Sequence, residues 1–346
     1  MQKEQVSEVL LKNNPEFDHH QRVYRIYDSE KLIGFIAIHS VKGKNPSSGG
    51  TRFAEYECEE DALKDVLRLS KHMTKKHDVI GLFYGGAKAV FIANRIPNKK
   101  DWLIEYAAFL NSLQGELITG TDAGLTDEDI QFMSAQTRYI GGSAASLSQY
   151  TAKGLILAMQ CCLKEKLGKE DLRGITIAIQ GVGNIGSRLV ESLYPLAKKI
   201  YVSDIDASKT QSLKKKYPNI EVISPDKIHQ QKVDIYSPCG YGQCITSQII
   251  HELQCKMIVG AANNQLVDPQ FAEILHEKGI LYAPDFLVNS GGMIAATVEY
   301  ETRRNPKEDQ IMKIMQTIPR ILTEIIKVSQ KQKISLHQAL VNKMEK

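Results

Sequence analysis

No stretch of this chain is apolar for the roughly 18 residues that a membrane span requires, and the opening MQKEQVSEVLLKNNPEF lacks the apolar core of a secretion signal. A membrane is therefore not an expected partner, and a cytoplasmic location is expected. Six cysteines are present (Cys58, Cys161, Cys162, Cys239, Cys244, Cys255), but none forms the CxxC spacing of a structural zinc site, so they read as thiols and no metal is expected. Basic runs interleaved with aromatics are also missing. Lys214-Lys215-Lys216 reads as the solvated end of a helix, and a formal net charge of +4 over 346 residues gives nucleic acid no attractive surface. Internal repeats and low-complexity segments are absent. What remains is 42% hydrophobic and 24% charged, the composition of a globular chain, and its length exceeds that at which one core usually keeps growing. Two domains follow.

Against these absences stands Gly181-Val182-Gly183-Asn184-Ile185-Gly186, between an apolar run over 175–180 and a helix-patterned stretch over 184–194. This is the context of a dinucleotide site. The first glycine lets the strand turn tightly, the second admits a pyrophosphate to the backbone, and the third lets the helix pack closely on the strand, with Asn184 and Ile185 in its first turn. A second apolar strand, 199–203, ends at Asp204, where a carboxylate accepts hydrogen bonds from a ribose and repels a 2'-phosphate. NAD rather than NADP is the cofactor so predicted.

From residue 170 onward, short apolar strands (174–180, 199–203, 219–223, 233–237, 256–259, 280–282) alternate with helical stretches, which predicts a doubly wound parallel sheet. Cys239 follows the fourth of these strands, where ligands approach a parallel sheet. The first half reads as a mixed α/β domain, with a strand over 32–39, a helix over 59–77, a strand over 89–93 and a helix over 99–114. Gly141-Gly142-Ser143-Ala144-Ala145-Ser146 is the expected crossing between domains. The fold class is thus α/β: a substrate-binding and oligomerisation domain over 1–145, a Rossmann domain over 146–327, and a cleft between them. Apolar residues at helical spacing over 309–328 could pack back on the first domain or on their own, and 328–346 is expected to join the first domain.

Chemistry should reside in the first half, because a nicotinamide site needs a held substrate and groups that move protons. Lys76 continues the stripe of Ala62, Val66, Leu69 and Met73; taken alone, it could merely satisfy the last carbonyls of a helix. In Tyr84-Gly85-Gly86-Ala87-Lys88, the small residues would let the backbone turn and leave Lys88 beside an uncrowded cavity, or simply make a hairpin with an exposed lysine.

Taken together, Met73-Thr74-Lys75-Lys76, Gly85-Gly86-Ala87-Lys88-Ala89-Val90, Thr119-Gly120-Thr121-Asp122-Ala123-Gly124, Gly181 to Gly186, Gly260-Ala261-Ala262-Asn263-Asn264-Gln265-Leu266, Tyr282-Ala283-Pro284-Asp285 and Asn289-Ser290-Gly291-Gly292 closely resemble the glutamate, leucine, phenylalanine and valine dehydrogenases, in the same order. The resemblance implies reversible oxidative deamination of an L-amino acid to a 2-oxo acid and ammonium, with NAD taking the hydride. It implies Lys76 as the anchor of the substrate carboxylate, Lys88 as the base for the attacking water and Asp122 as the proton shuttle. Gly49-Gly50-Thr51-Arg52 resembles the segment that closes over the substrate. Thr151 falls where relatives contact the nicotinamide, and Asn263 or Asn264 would orient the nicotinamide or the substrate carboxylate.

The lining implied for the substrate side chain is Ser48, Gly120, Met293 and Ala296. Glutamate-specific relatives carry a lysine and a serine at the positions of Ser48 and Ala296, so a distal carboxylate would lack a charged partner here. The pocket reads as apolar and, at Gly120 and Ala296, roomy, which points to a branched-chain or aromatic substrate. Ala87 stands where relatives have a glycine, which would strain a backbone needing positive φ, and Gly240-Tyr241-Gly242-Gln243 departs from the family's small apolar stretch. Two alternatives follow from these departures: an enzyme of the same mechanism for an unusual amino acid, and a non-catalytic NAD-binding regulatory or structural protein. A homo-oligomer is expected, with a dimer favoured.

Overall fold

The structure is a computed structural model; it describes residues 1–144 and 146–345, so that Ala145, at the expected domain boundary, lies outside the described residues. Two units result: Met1–Leu147 with Met293–Ile311, and Ser148–Gly292 with Met312–Lys346.

The first unit holds a sheet ordered β1-β2-β3-β6-β4-β7, with β5 also on β6. These strands are β1 (Gln2–Gln5), β2 (Arg22–Asp28), β3 (Lys31–Ile38), β4 (Ser47–Ser48), β5 (Thr51–Ala54), β6 (Gly85–Ile92) and β7 (Leu117–Ile118). Antiparallel pairing runs from β1 to β6, whereas β4 and β5 lie parallel to β6. Four helices belong to its N-terminal part: α1 (Glu8–Leu11), α2 (Glu59–Ile80), α3 (Lys99–Ser112) and α4 (Asp127–Ser134). Strand alternation divides β6 between two cores. Ala87, Ala89 and Phe91 pack with Trp102, Tyr106 and Leu110 of α3, while Val90 and Ile92 pack with Ala62, Val66 and Leu69 of α2. Lys88 therefore shares the face that α2 covers.

Residues 85–88, read from their small side chains as a turn, are instead the start of β6. The glycines serve close packing. A Cβ on Gly85 would lie 1.9 Å from the Ser40 carbonyl oxygen, and one on Gly86 would lie 2.2 Å from the Thr74 backbone nitrogen. Ala87 pairs with Ile38 across the sheet and is absent from the positive-φ positions, so it carries no strain. Helix α2 ends at Gly81, whose φ of 79° supplies the left-handed cap.

In the second unit, β8 (Thr176–Gln180), β9 (Lys199–Ser203), β10 (Glu221–Val222), β11 (Ile235–Pro238), β12 (Met257–Ile258) and β13 (Leu281–Tyr282) form a parallel sheet ordered β10-β9-β8-β11-β12-β13. That is the doubly wound order, with the strand sequence reversing beside β8. Each of the six strands predicted from apolar runs is present. The helices that follow are α5 (Leu147–Leu167), α6 (Asn184–Leu193), α7 (Ala207–Lys216), α8 (Ser247–Glu252), α9 (Phe271–Glu277), α10 (Asp285–Val288), α11 (Gly291–Glu301), α12 (Glu308–Met315), α13 (Thr317–Gln332) and α14 (Leu336–Met344). The unit boundaries fall within α5, α11 and α12.

The C-terminal segment differs from expectation in two respects. The single stripe over 309–328 is split at Gln316, because Pro319, in the first turn of α13, has no N–H to continue the helix from α12. Of the segment 328–346, expected with the first domain, the described residues, 328–345, belong to the second unit, where the Ser335 N–H donates to Glu273 and Gln330 to Glu165. Among the described residues no helix is long and apolar enough to cross a membrane.

Candidate active site

In the first unit, Lys88 and Asp122 form a buried ion pair, with side-chain exposures of 6% and 15%. Asp122 Oδ1 also accepts the Ala123 N–H at 2.6 Å and faces Arg52 Nη2 at 3.5 Å. Burial disfavours the charged ammonium and moves the Lys88 pKa below the ordinary lysine value; Asp122 opposes this and the Arg52 charge reinforces it. Burial would raise the Asp122 carboxyl, but Lys88 and Arg52 outweigh it and hold that group well below the usual carboxylate range. The pair thus combines an amine that gives up its proton more readily than a free lysine with a carboxylate that stays ionised. Such a combination can take a proton from water and pass one on.

Gly50 completes the contact. A Cβ there would sit 3.2 Å from Lys88 Nζ, 3.2 Å from Asp122 Cβ and 2.7 Å from the Thr121 carbonyl oxygen. At Gly49 the Ala87 carbonyl oxygen occupies the same space, at 1.7 Å. Both glycines let the backbone of 49–50 lie against the lysine strand. Lys76, on α2, is buried, as are His72 and His77 of the same helix. Burial pushes the His77 imidazole down to about 4 and that of His72 well below its ordinary value, so neither adds a cation near neutral pH.

Of the residues expected along the substrate side chain, Ser48 lies in β4 between Gly86 and Ile118, and Met293 and Ala296 lie on α11. Gly120 is not roomy. The space its Cβ would fill holds the Gly141 carbonyl oxygen at 2.8 Å, and a Cβ on Gly141 would meet Ala296 at 2.9 Å. These positions therefore bring three backbones into close packing. Spacing gave no sign of what fixes the turn beside them. The fully buried Glu299 carboxylate accepts from Gly142 N–H at 3.1 Å, Ser143 N–H at 2.9 Å and Ser143 Oγ at 2.7 Å.

The second unit brings the glycine motif to the carboxyl end of β8. Gly181 has φ 90°, and a Cβ on it would strike Gly240 N at 2.6 Å and the Cys239 carbonyl carbon at 3.0 Å. Gly186 packs on the Gly181 carbonyl oxygen, with 2.0 Å to its absent Cβ, while nothing lies within 4 Å of that position on Gly183. Helix α6 begins at Asn184 with no side-chain cap, so the amides of its first turn, Asn184, Ile185 and Gly186, are the donors that a helix start can offer an anion. Asp204 accepts the Val182 N–H at 2.8 Å and the Asp206 N–H at 3.0 Å on different oxygens, so each retains a lone pair for a ribose hydroxyl.

Cys239 donates its N–H to the Gln180 carbonyl at 2.7 Å, and burial raises its thiol pKa, so this residue supports the glycine turn as an uncharged group. Thr151 is buried in α5. The two adjacent asparagines differ in their surroundings. Asn263 Oδ1 accepts from Asn289 at 3.0 Å, whereas Asn264 takes φ 50° and keeps Nδ2 buried without a hydrogen-bond partner. A glycine cradle, an uncapped helix start, a placed carboxylate and an unsatisfied amide together fit a nicotinamide dinucleotide.

Comparison with known proteins agrees. Residues 21–139 match the Glu/Leu/Phe/Val dehydrogenase dimerisation domain, and 141–344 match the Glutamate/Leucine/Phenylalanine/Valine dehydrogenase family. L-tryptophan dehydrogenase of Nostoc punctiforme is 34% identical over 335 residues, covering 96% of this chain and 94% of that protein. Its crystal structure superposes with a TM-score of 0.74 over 94% of this chain and 95% of the other. Leucine dehydrogenase of Bacillus subtilis (strain 168) is 36% identical, covering 82% and 80%, and phenylalanine dehydrogenase of Lysinibacillus sphaericus is 36% identical, covering 89% and 83%. The chain thus belongs to the Glu/Leu/Phe/Val dehydrogenase family, oxidoreductases that act on CH–NH2 donors with a nicotinamide dinucleotide.

Proposed function

We propose that this protein catalyses the reversible oxidative deamination of a branched-chain or aromatic L-amino acid to its 2-oxo acid and ammonium, with NAD as the hydride acceptor. The observation that carries the reading is the buried Lys88–Asp122 pair, which a purely structural role does not require. Lys76 holds the substrate carboxylate as a point charge. A dinucleotide held at the glycine turn and the start of α6 would supply the acceptor for the hydride of the α-carbon. Lys88, as the neutral amine, takes a proton from the water that adds to the iminium carbon, and Asp122 carries protons to and from the departing nitrogen. Gly49 and Gly50 keep the backbone close over these groups.

On the cofactor side, the amides at the start of α6 receive the pyrophosphate, Asp204 receives the ribose, and Thr151, Cys239, Asn263 and Asn264 contact or orient the nicotinamide end. The Asp204 carboxylate supports NAD over NADP, since a 2'-phosphate would meet a like charge. Ser48 and Ala296 support an apolar side chain, because neither offers a cation to a distal carboxylate. The names of the relatives span leucine, phenylalanine and tryptophan, in keeping with a large apolar substrate. A homodimer is favoured, supported by the dimerisation-domain match over 21–139 and tested by sedimentation for twice the 38.8 kDa chain mass. Six free thiols support a reducing, cytoplasmic setting.

The test is kcat/KM with NAD for leucine, phenylalanine, tryptophan and glutamate. Glutamate should trail the best apolar substrate by about 100-fold or more, the cost of leaving a charge unpaired in a closed site. A preference for glutamate would overturn the substrate assignment.

A further inference from the structure

Arg52 lies in β5, two residues past Gly50, and its guanidinium is divided between two carboxylates. Nη1 donates to Asp65 Oδ2 at 2.7 Å, and Nη2 faces Asp122 Oδ1 at 3.5 Å. Asp65 projects from α2 and is held from other sides by the Tyr56 hydroxyl at 2.7 Å and by Arg68 Nη2 at 2.6 Å. All of these side chains are largely enclosed, at 20% exposure for Arg52, 13% for Asp65 and 25% for Arg68. A continuous chain of alternating charge therefore runs Lys88, Asp122, Arg52, Asp65, Arg68, across β6, the segment after β7, β5 and α2. Nothing in the reaction requires Arg52 to touch substrate.

We propose that Arg52 is a positioning residue that divides the Asp122 carboxylate between itself and Lys88, and that Asp65, by competing for Arg52, sets how strongly Asp122 holds a proton on the Lys88 amine. The inference rests on the proposed role of Lys88 as a base. With Arg52 in place, part of the negative charge of Asp122 is turned away from Lys88, and a second cation stands nearby, so the neutral amine is reached at lower pH. Without Arg52, Asp122 serves Lys88 alone and the ammonium persists to higher pH. Without Asp65, Arg52 turns wholly to Asp122 and the amine is freed at still lower pH. Other groups facing the cluster are Tyr56, Arg68 and His72; Asp65→Asn also leaves the Arg68 charge without its carboxylate, which acts on Lys88 in the same direction. Burial and the Arg52 charge both depress Lys88, while Asp122 and Asp65 raise it, in agreement with this assignment of signs.

The test uses the full-length protein with Arg52→Gln, Asp65→Asn and Arg52→Lys. Two readouts are followed from pH 6 to 11: the midpoint of the acid limb of kcat/KM for the best amino acid, and the midpoint of Lys88 acetylation by trace acetic anhydride, read by peptide mass spectrometry. Arg52→Gln should raise both midpoints by about one pH unit or more, and Asp65→Asn should lower them. Arg52→Lys, which keeps the charge, should stay within a few tenths of a unit of wild type. A merely structural role would lower kcat without moving the midpoints, or move them in the same direction in both carboxamide variants, and either result overturns the proposal. If Arg52→Gln does not fold, the opposite shift in Asp65→Asn and the retained midpoint in Arg52→Lys decide. Absence of turnover on every amino acid would sink the proposed function, whereas the acetylation midpoints would still judge the electrostatic role of Arg52.

Discussion

At the scale of single residues, the site combines groups whose preferences oppose one another. Lys88 is driven toward the amine by burial and Asp122 is held as a carboxylate by two cations, so removing either should cost far more than a packing contact. Lys88→Ala is expected to lower kcat by about 10²- to 10⁴-fold, the range for loss of a general base, and to lower the thermal midpoint as well, because Asp122 loses its nearest counter-charge. Steady-state kinetics beside circular dichroism would check this; retention of more than a tenth of kcat would remove Lys88 from the proton-transfer step. Lys76→Ala should act differently. On the proposed reading it removes a charge-assisted contact to the substrate carboxylate that is present in the ground state, which should raise KM by about 10- to 100-fold with a smaller effect on kcat. Both lysines and Asp122 stood out in the sequence because they sit in contiguous motifs, and the structure pairs Lys88 with Asp122. Arg52 stood out only as the end of the Gly49–Arg52 segment, because its partner Asp65 lies on another element and no spacing encodes the meeting. Gly120 misled for a related reason: a glycine reads as empty volume, but the Gly141 carbonyl fills it.

Elements carry these residues into place, and the tightest junction is that of α2 on β6. Thr74, two residues before Lys76, bonds Ser40 Oγ at 2.8 Å and His39 Nδ1 at 2.8 Å, while Gly86, two before Lys88, donates its N–H to the same Ser40 Oγ at 3.0 Å. Gly86→Ala would drive a methyl into the Thr74 backbone, 2.2 Å from its nitrogen. The expected loss is about 3 kcal/mol of unfolding free energy, at the upper end of overpacking effects, because backbone cannot yield as a side chain does. The control is Gly81→Ala at the end of α2, where no atom lies within 4 Å and only the left-handed φ of 79° opposes the methyl, at about 1–2 kcal/mol. Urea titration should rank the two in that order, and the reverse order would refute the packing argument.

The same junction shows why element reading failed locally. Small residues at 85–87 carry turn chemistry in sequence, but their smallness answers a helix packed onto a strand. The parallel strands of the second unit were legible because burial on both faces leaves unbroken apolar runs, as in Ile177, Ala178 and Ile179. Strand β1 was not, since its four residues, Gln2–Gln5, are exposed and polar.

For the whole chain, each unit has apolar clusters of its own, and different solution variables should act on each. Four buried or half-buried histidines, His20, His39, His72 and His77, lie in the first unit, and burial moves all four below the ordinary imidazole value, to about 4 for His20 and His77. The unfolded chain binds protons at these sites near pH 6.5 and the folded unit does not, so stability is fully present above pH 6.5 and is lost as the pH falls toward 4. For His77, fully enclosed in α2, the loss is on the order of 3 kcal/mol. On the proposed reading the dinucleotide, in contrast, binds groups of the second unit, and at 100 times its dissociation constant it would add about 2.7 kcal/mol by mass action. Calorimetry should therefore show two components, one whose midpoint falls between pH 6.5 and 4 and one whose midpoint rises with NADH. His77→Gln should flatten the acid response of the first component and leave the NADH response of the second in place. A single transition displaced equally by acid and by NADH would mean that the units unfold as one, and the separate assignment of histidines and dinucleotide would fail with it.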